Sequence, residues 1–146
     1  RGGGGVSVTP SLAEAIRYFV MVVAARRARG QHESNNTMLL HTSVLNSVHR
    51  QLESVVRPHV ESLSRSLSSN DKVTLLEMRE QWEREQAAVL SEEFDLDPVA
   101  FDHLQPHLAV VAESIRVHVE NWTATARLRY EDGPHTFLVI GGNVLA

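Results

Sequence analysis

The chain has 146 residues, 42% hydrophobic and 22% charged, which suits one globular domain with a real core and leaves little room for two. It has no cysteine, so a disulfide framework and a thiolate metal site are excluded and an intracellular, cytoplasmic setting is favoured. Net charge is −4 but uneven: residues 1–70 hold eight arginines against four glutamates, and residues 71–114 hold eleven acids against three bases. The whole is therefore no polybasic nucleic-acid binder, although a local basic face stays open.

Arg1 to Gly5 is a glycine-rich start that cannot offset its ordering entropy, and residues 1–8 read as loose. Thr9-Pro10 offers a helix N-cap with proline in the first turn, and Ser11-x-x-Glu14 is a second candidate box. The helix runs to Arg29 with Leu12, Ile16, Phe19, Val20 and Val23 on its buried face. Arg26, Arg27 and Arg29 crowd its last turn, complementing the helix dipole, and Gly30 closes it. A phosphate-contacting patch is the sharper reading of those arginines. The apolar run Tyr18 to Ala25 is eight residues long, against the roughly 20 that a membrane span needs.

Thr37 to Ser43 is a short apolar strand ending in polar residues, the pattern of a parallel strand that delivers side chains to a site. A long helical region follows, with Leu45, Val48, Leu52, Val55 and Val56, then Val60, Leu63 and Leu67, and Pro58 is expected to kink or split it near Arg57. Ser68 to Asp71 makes a turn and caps the next helix, whose stripe is Leu75, Met78, Trp82 and Val89, with Glu80 and Arg84 as an outer i,i+4 pair. Asp97-Pro98 starts a shorter helix, and Pro106 begins or bends another that ends near Ser114. Ile115, Val117 and Val119 alternate with Arg116, His118 and Glu120, as in a strand with one face less buried. Trp122 to Tyr130 reads as irregular, and Glu131 to Pro134 as a turn. Phe137 to Ile140 is apolar throughout, a strand buried on both faces, and Gly141-Gly142-Asn143 then forces a tight turn where backbone amides can approach a ligand.

The expected fold class is α/β, a parallel sheet of about three strands flanked by helices, with the first strand between the other two. Residues 1–146 read as a single domain in which 46–114 form a helical insertion between the first and second strands. A buried strand and its functional turn seldom end a protein, so the sequence reads as a segment of something longer.

Catalytic chemistry finds little footing. There is no GxSxG elbow and no GxxxxGK[ST] phosphate loop. The only lysine, Lys72, has Asn70 two positions before it, where a restriction-type nuclease core needs an acid. His103 and His107 have i,i+4 spacing with Pro106 between them and no HExxH arrangement. His41 and His118 read as hydrogen-bonded sheet residues. Glu92, Glu93, Asp95, Asp97 and Asp102 lack calcium-loop spacing and read as a solvated face. The suggestive element is the Gly141-Gly142-Asn143 turn.

Several stretches carry a resemblance. Phe137 to Ala146, with the sequence FLVIGGNVLA, is similar to the start of the signature of the Z-1 domain proteins, a bacterial group named as endonucleases. Thr9-Pro10-Ser11-Leu12-x-Glu14-Ala15, Arg26-Arg27-x-Arg29-Gly30, Asn36 to Ser43, Val117-x-Val119-x-Asn121 and Tyr130-Glu131 resemble the rest of its pattern. These proteins are similar to superfamily-two helicases and occur with restriction or phage-defence gene sets. The resemblance implies that residues 36–146 are part of a second RecA-like domain. Thr42 and Ser43 would then belong to the fourth helicase motif, and Gly141, Gly142 and Asn143 would open the fifth, so these five are the nucleic-acid-binding candidates. It also implies DNA, a first RecA-like domain and defence-system proteins as partners, with ATP and magnesium as cofactors of the full-length protein and none held by this segment. No catalytic residue and no membrane contact is expected here. The rival reading is a non-catalytic interaction module docking through 46–114.

Overall fold

The first helix is specified almost entirely by its own ends. In the computed structural model, which describes residues 7–31, 35–42, 46–88, 98–120 and 136–142, helix α1 spans Pro10–Ala28. Thr9 is its N-cap, and the hydroxyl accepts from the Leu12 amide at 3.1 Å. Pro10 follows where a missing N–H is harmless. At the far end the Gly30 amide donates to the Arg27 carbonyl and the Gln31 amide to the Arg26 carbonyl, both at 2.9 Å. This is a Schellman closure, and Gly30 takes the left-handed φ of 88° that it requires.

Strand β1 (Asn36–Thr42) leads to helix α2 (Asn46–Ser68). Of the kink or split expected at Pro58, the split does not occur, and α2 runs unbroken through it. Pro58 and Ser54, whose carbonyl loses its donor, are both exposed, on the side where helix carbonyls tilt out to water. On the other side Val56 and Val60 are buried. Arg57, paired with Glu53, donates to the Val117 carbonyl at 2.9 Å. Tertiary packing holds the helix across its weak point.

A second Schellman closure separates α2 from helix α3 (Lys72–Ala88). Asn70, at φ 56°, takes the left-handed position, and the Asp71 amide donates to the Ser66 carbonyl at 2.9 Å. Asp71 then caps α3, accepting from both the amide and the hydroxyl of Thr74. Met78 and Trp82 are buried as the stripe predicts, but so is Gln81. Gln81 is satisfied at both ends, donating to the Glu14 carbonyl at 2.8 Å and accepting from Arg17 Nε at 3.2 Å. Arg84 lies 3.7 Å from Glu14 of α1, a different carboxylate from the expected Glu80.

Helix α4 (Phe101–Leu104) begins three residues later than Asp97-Pro98 suggests. The Trp82 indole donates to the Val99 carbonyl at 2.8 Å, which holds that stretch out of the helix. A 3₁₀ turn over Gln105–His107 contains Pro106 and leads into helix α5 (Leu108–Ser114). Arg79 of α3 pairs with Asp102 and lies over the Phe101 ring, 4.9 Å from its centroid. Strand β2 (Ile115–Glu120) follows α5 without a break, and β3 spans Thr136–Gly142.

The architecture is α/β with a three-stranded parallel sheet in the order β1-β3-β2. All three expected strands exist and are parallel, yet β3, not β1, is central. The reason is burial. Phe137, Leu138, Val139 and Ile140 are all 4% exposed or less, so β3 alone is apolar enough to take neighbours on both edges. Leu39 of β1 is 52% exposed and Arg116 of β2 is exposed, as suits edge strands. One sheet face joins Leu138, Ile140 and Val117 to the helical core, with Met38, Leu40 and Val119 packed against it. Helix α2 lies on β2 and β3, α5 packs on α2, and α1 packs on α3, α4 and α5.

The expectations for residues 1–6, Val89, Glu92 to Asp97, Trp122 to Tyr130 and Glu131 to Pro134 lie outside the described residues.

Candidate functional site

The carboxyl edge of the sheet collects the expected residues through register alone. Thr42, the last residue of β1, is the direct partner of Gly142, the last residue of β3. One step back, His41 stands beside Gly141, and Gly141 stands beside Glu120 of β2. Three of the five candidates, Thr42, Gly141 and Gly142, are therefore neighbours across two strands. Ser43 and Asn143 lie outside the described residues. The two glycines do not begin a turn as expected: both remain in the β3 ladder, and the strand ends at Gly142.

Parallel strands place their carboxyl ends together, and in open α/β sheets that edge is where ligands bind. Two glycines, Gly141 and Gly142, end the central strand at that edge. Glu120, the register partner of Gly141, carries no role in the sequence reading. It is legible there only as the last residue of an alternating strand.

Arg26, at the end of α1, serves a different place. Arg26 Nη1 donates to the Asn36 side chain at 2.9 Å, tying α1 to the amino end of β1. Six strand steps separate Asn36 from Thr42, about 20 Å. Arg26 is thus a structural tie at the edge opposite the candidate site. Asn36, 9% exposed, is its partner, and no spacing in the sequence pointed to that pair.

The acidic region behaves as a helical layer. Helix α3 packs on α1, α2 and α4, and α5 runs directly into the amino end of β2. Asp102 answers Arg79. His118 meets an aromatic partner, its ring edge-on to Phe137 with centroids 5.1 Å apart. His103 and His107 border the same shallow cleft as Ala28 and Pro98. Among the described residues, no three His, Asp or Glu side chains come together as a metal ligand set. No helix among them is long and apolar enough to cross a membrane.

Fold and edge together define an α/β protein whose parallel sheet presents a glycine-centred carboxyl edge. The Z1 domain profile matches residues 11–146, nearly the whole chain, and the protein belongs to the Z1 domain family. No curated protein and no solved structure shows significant similarity to it.

Proposed function

We propose that this chain is the nucleic-acid-contacting part of a helicase-like, ATP-dependent DNA-processing protein of a restriction or phage-defence system, working in the cytoplasm. In this reading residues 36–146 belong to a second RecA-like domain. Thr42, Ser43, Gly141, Gly142 and Asn143 contact a DNA strand through hydroxyl groups and backbone amides. Such contacts position a strand by its phosphates without reading its sequence, so binding is weak, sequence-independent and steeply dependent on salt. The observation that supports the reading is the register pairing of Thr42 with Gly142 at the carboxyl edge.

ATP and magnesium are bound by the full-length protein, where a first RecA-like domain supplies the phosphate loop that this sequence lacks. The chain by itself neither hydrolyses ATP nor cuts DNA. In the full-length protein, Thr42→Ala and Asn143→Ala each lower DNA-stimulated ATPase by about tenfold, a loss of about 1.4 kcal/mol, with the circular dichroism spectrum unchanged. Wild-type stimulation in both variants sinks the assignment.

A second reading, a non-catalytic interaction module, draws on Val73 and Leu76 of α3, which are 65% and 56% exposed on successive turns. Sequence beyond Ala146 separates the two: an Arg-Gly pair followed by a further arginine motif favours the helicase, and their absence favours the module.

A further inference from the structure

Away from the sheet edge, a small polar cleft of about 160 Å³ opens where α1, α2 and α3 meet. Its lining is Arg17 of α1, His59, Ser62 and Ser66 of α2, and Thr74 and Glu77 of α3, over the buried Leu63. The α2 residues follow helical spacing on one face. Arg17 is held in place, because its Nε donates to Gln81, which is itself fixed to the Glu14 carbonyl. The cleft therefore sets the tethered Arg17, His59 and two serines around a space below the roughly 300 Å³ of a drug-sized ligand pocket but above the ~30 Å³ share of one water. Planar guanidinium with neighbouring hydroxyl donors is the chemistry that recognises phosphate-like groups.

We infer that this cleft binds a small tetrahedral oxyanion, either free or as a terminal phosphomonoester, between Arg17, His59 and the serines of α2. This site is independent of the sheet-edge reading above. Three charged or titratable groups face it: Arg17, His59 and, opposing them, Glu77. Burial first and the Arg17 guanidinium second hold His59 below the usual imidazole range. An oxyanion between the two supplies the missing negative charge, so binding draws a proton onto His59 and tightens as pH falls.

Inorganic sulfate is the first probe, because it stays a dianion across the histidine range, and the readout is the imidazole signal of His59 in NMR titrations. In the purified protein, sulfate raises the His59 midpoint saturably, while chloride at equal ionic strength does not. Apparent sulfate affinity is several-fold higher at about pH 5.5 than at about pH 7.5. Glu77→Gln, at an exposed position, tightens binding several-fold, and Ser62→Ala, also exposed, weakens it. Displacement of sulfate by inorganic phosphate but not by a 5′-phosphorylated dinucleotide assigns the site to the free ion; displacement by both assigns it to phosphomonoesters as well. An identical His59 midpoint in sulfate and chloride refutes the site, as does an affinity unmoved by both Glu77→Gln and Ser62→Ala.

Discussion

Asp71 shows what one side chain does at a junction. It takes two hydrogen bonds from Thr74 directly after the left-handed Asn70, so it ends one helix's turn and starts the next helix. The Thr74 amide, then its hydroxyl, hold the carboxyl below its usual value of 3.8. A lowered carboxyl stabilises the fold fully above that value, and the contribution is lost as pH falls through the folded-state value. Wild type is therefore expected to melt above Asp71→Asn near neutral pH, with the gap closing below about pH 3.8. A gap that stays constant under acid shows that the charge on Asp71 is not what matters.

At the scale of elements, α2 and β3 are decided by their surroundings in opposite ways. Pro58 makes α2 intrinsically poor, since an interior proline costs a helix about 3 kcal/mol. The helix persists because Val56, Val60 and the Arg57 link to β2 fix both sides of it. Pro58→Ala should stabilise the protein by about 2 kcal/mol once the extra freedom of the unfolded chain is subtracted, read as a higher urea midpoint. An unchanged or lower midpoint means that the proline is favourable where it stands. For β3, central position gives the opposite sensitivity. Leu138 is fully buried and Leu39 is 52% exposed, although the two lie on neighbouring strands. Leu138→Ala is expected to cost about 2–5 kcal/mol, and Leu39→Ala about 0.5 kcal/mol or less. Comparable losses in denaturant titrations contradict a central β3.

Over the whole molecule, the layers separate two kinds of surface. One end of the sheet gathers Thr42, Gly141, Gly142 and Glu120. The helical layer carries much of the acidity and the Arg17–His59 cleft. Helix α2 joins them, lying on β2 and β3 with one face and lining the cleft with another. The helix that lines the cleft is therefore the one that packs on the middle of the sheet.

What the chain determined by itself is local. Thr9, Pro10 and Gly30 close α1 because capping and left-handed turns depend only on neighbours a few residues away. Asn70 and Asp71 do the same between α2 and α3. The unbroken apolar run of Phe137 to Ile140 suits a strand buried on both faces, where consecutive side chains all leave water. Its central position was not read from that run, and the expectation gave the centre to β1. Only the tertiary structure decided the rest. The strand order depends on which edge can be left wet, a comparison among three distant segments. The continuity of α2 through Pro58, the burial of Gln81 and the tie from Arg26 to Asn36 all depend on partners brought near by folding. A polar residue shows in its sequence that it needs a partner; which partner satisfies it is a property of the packed molecule.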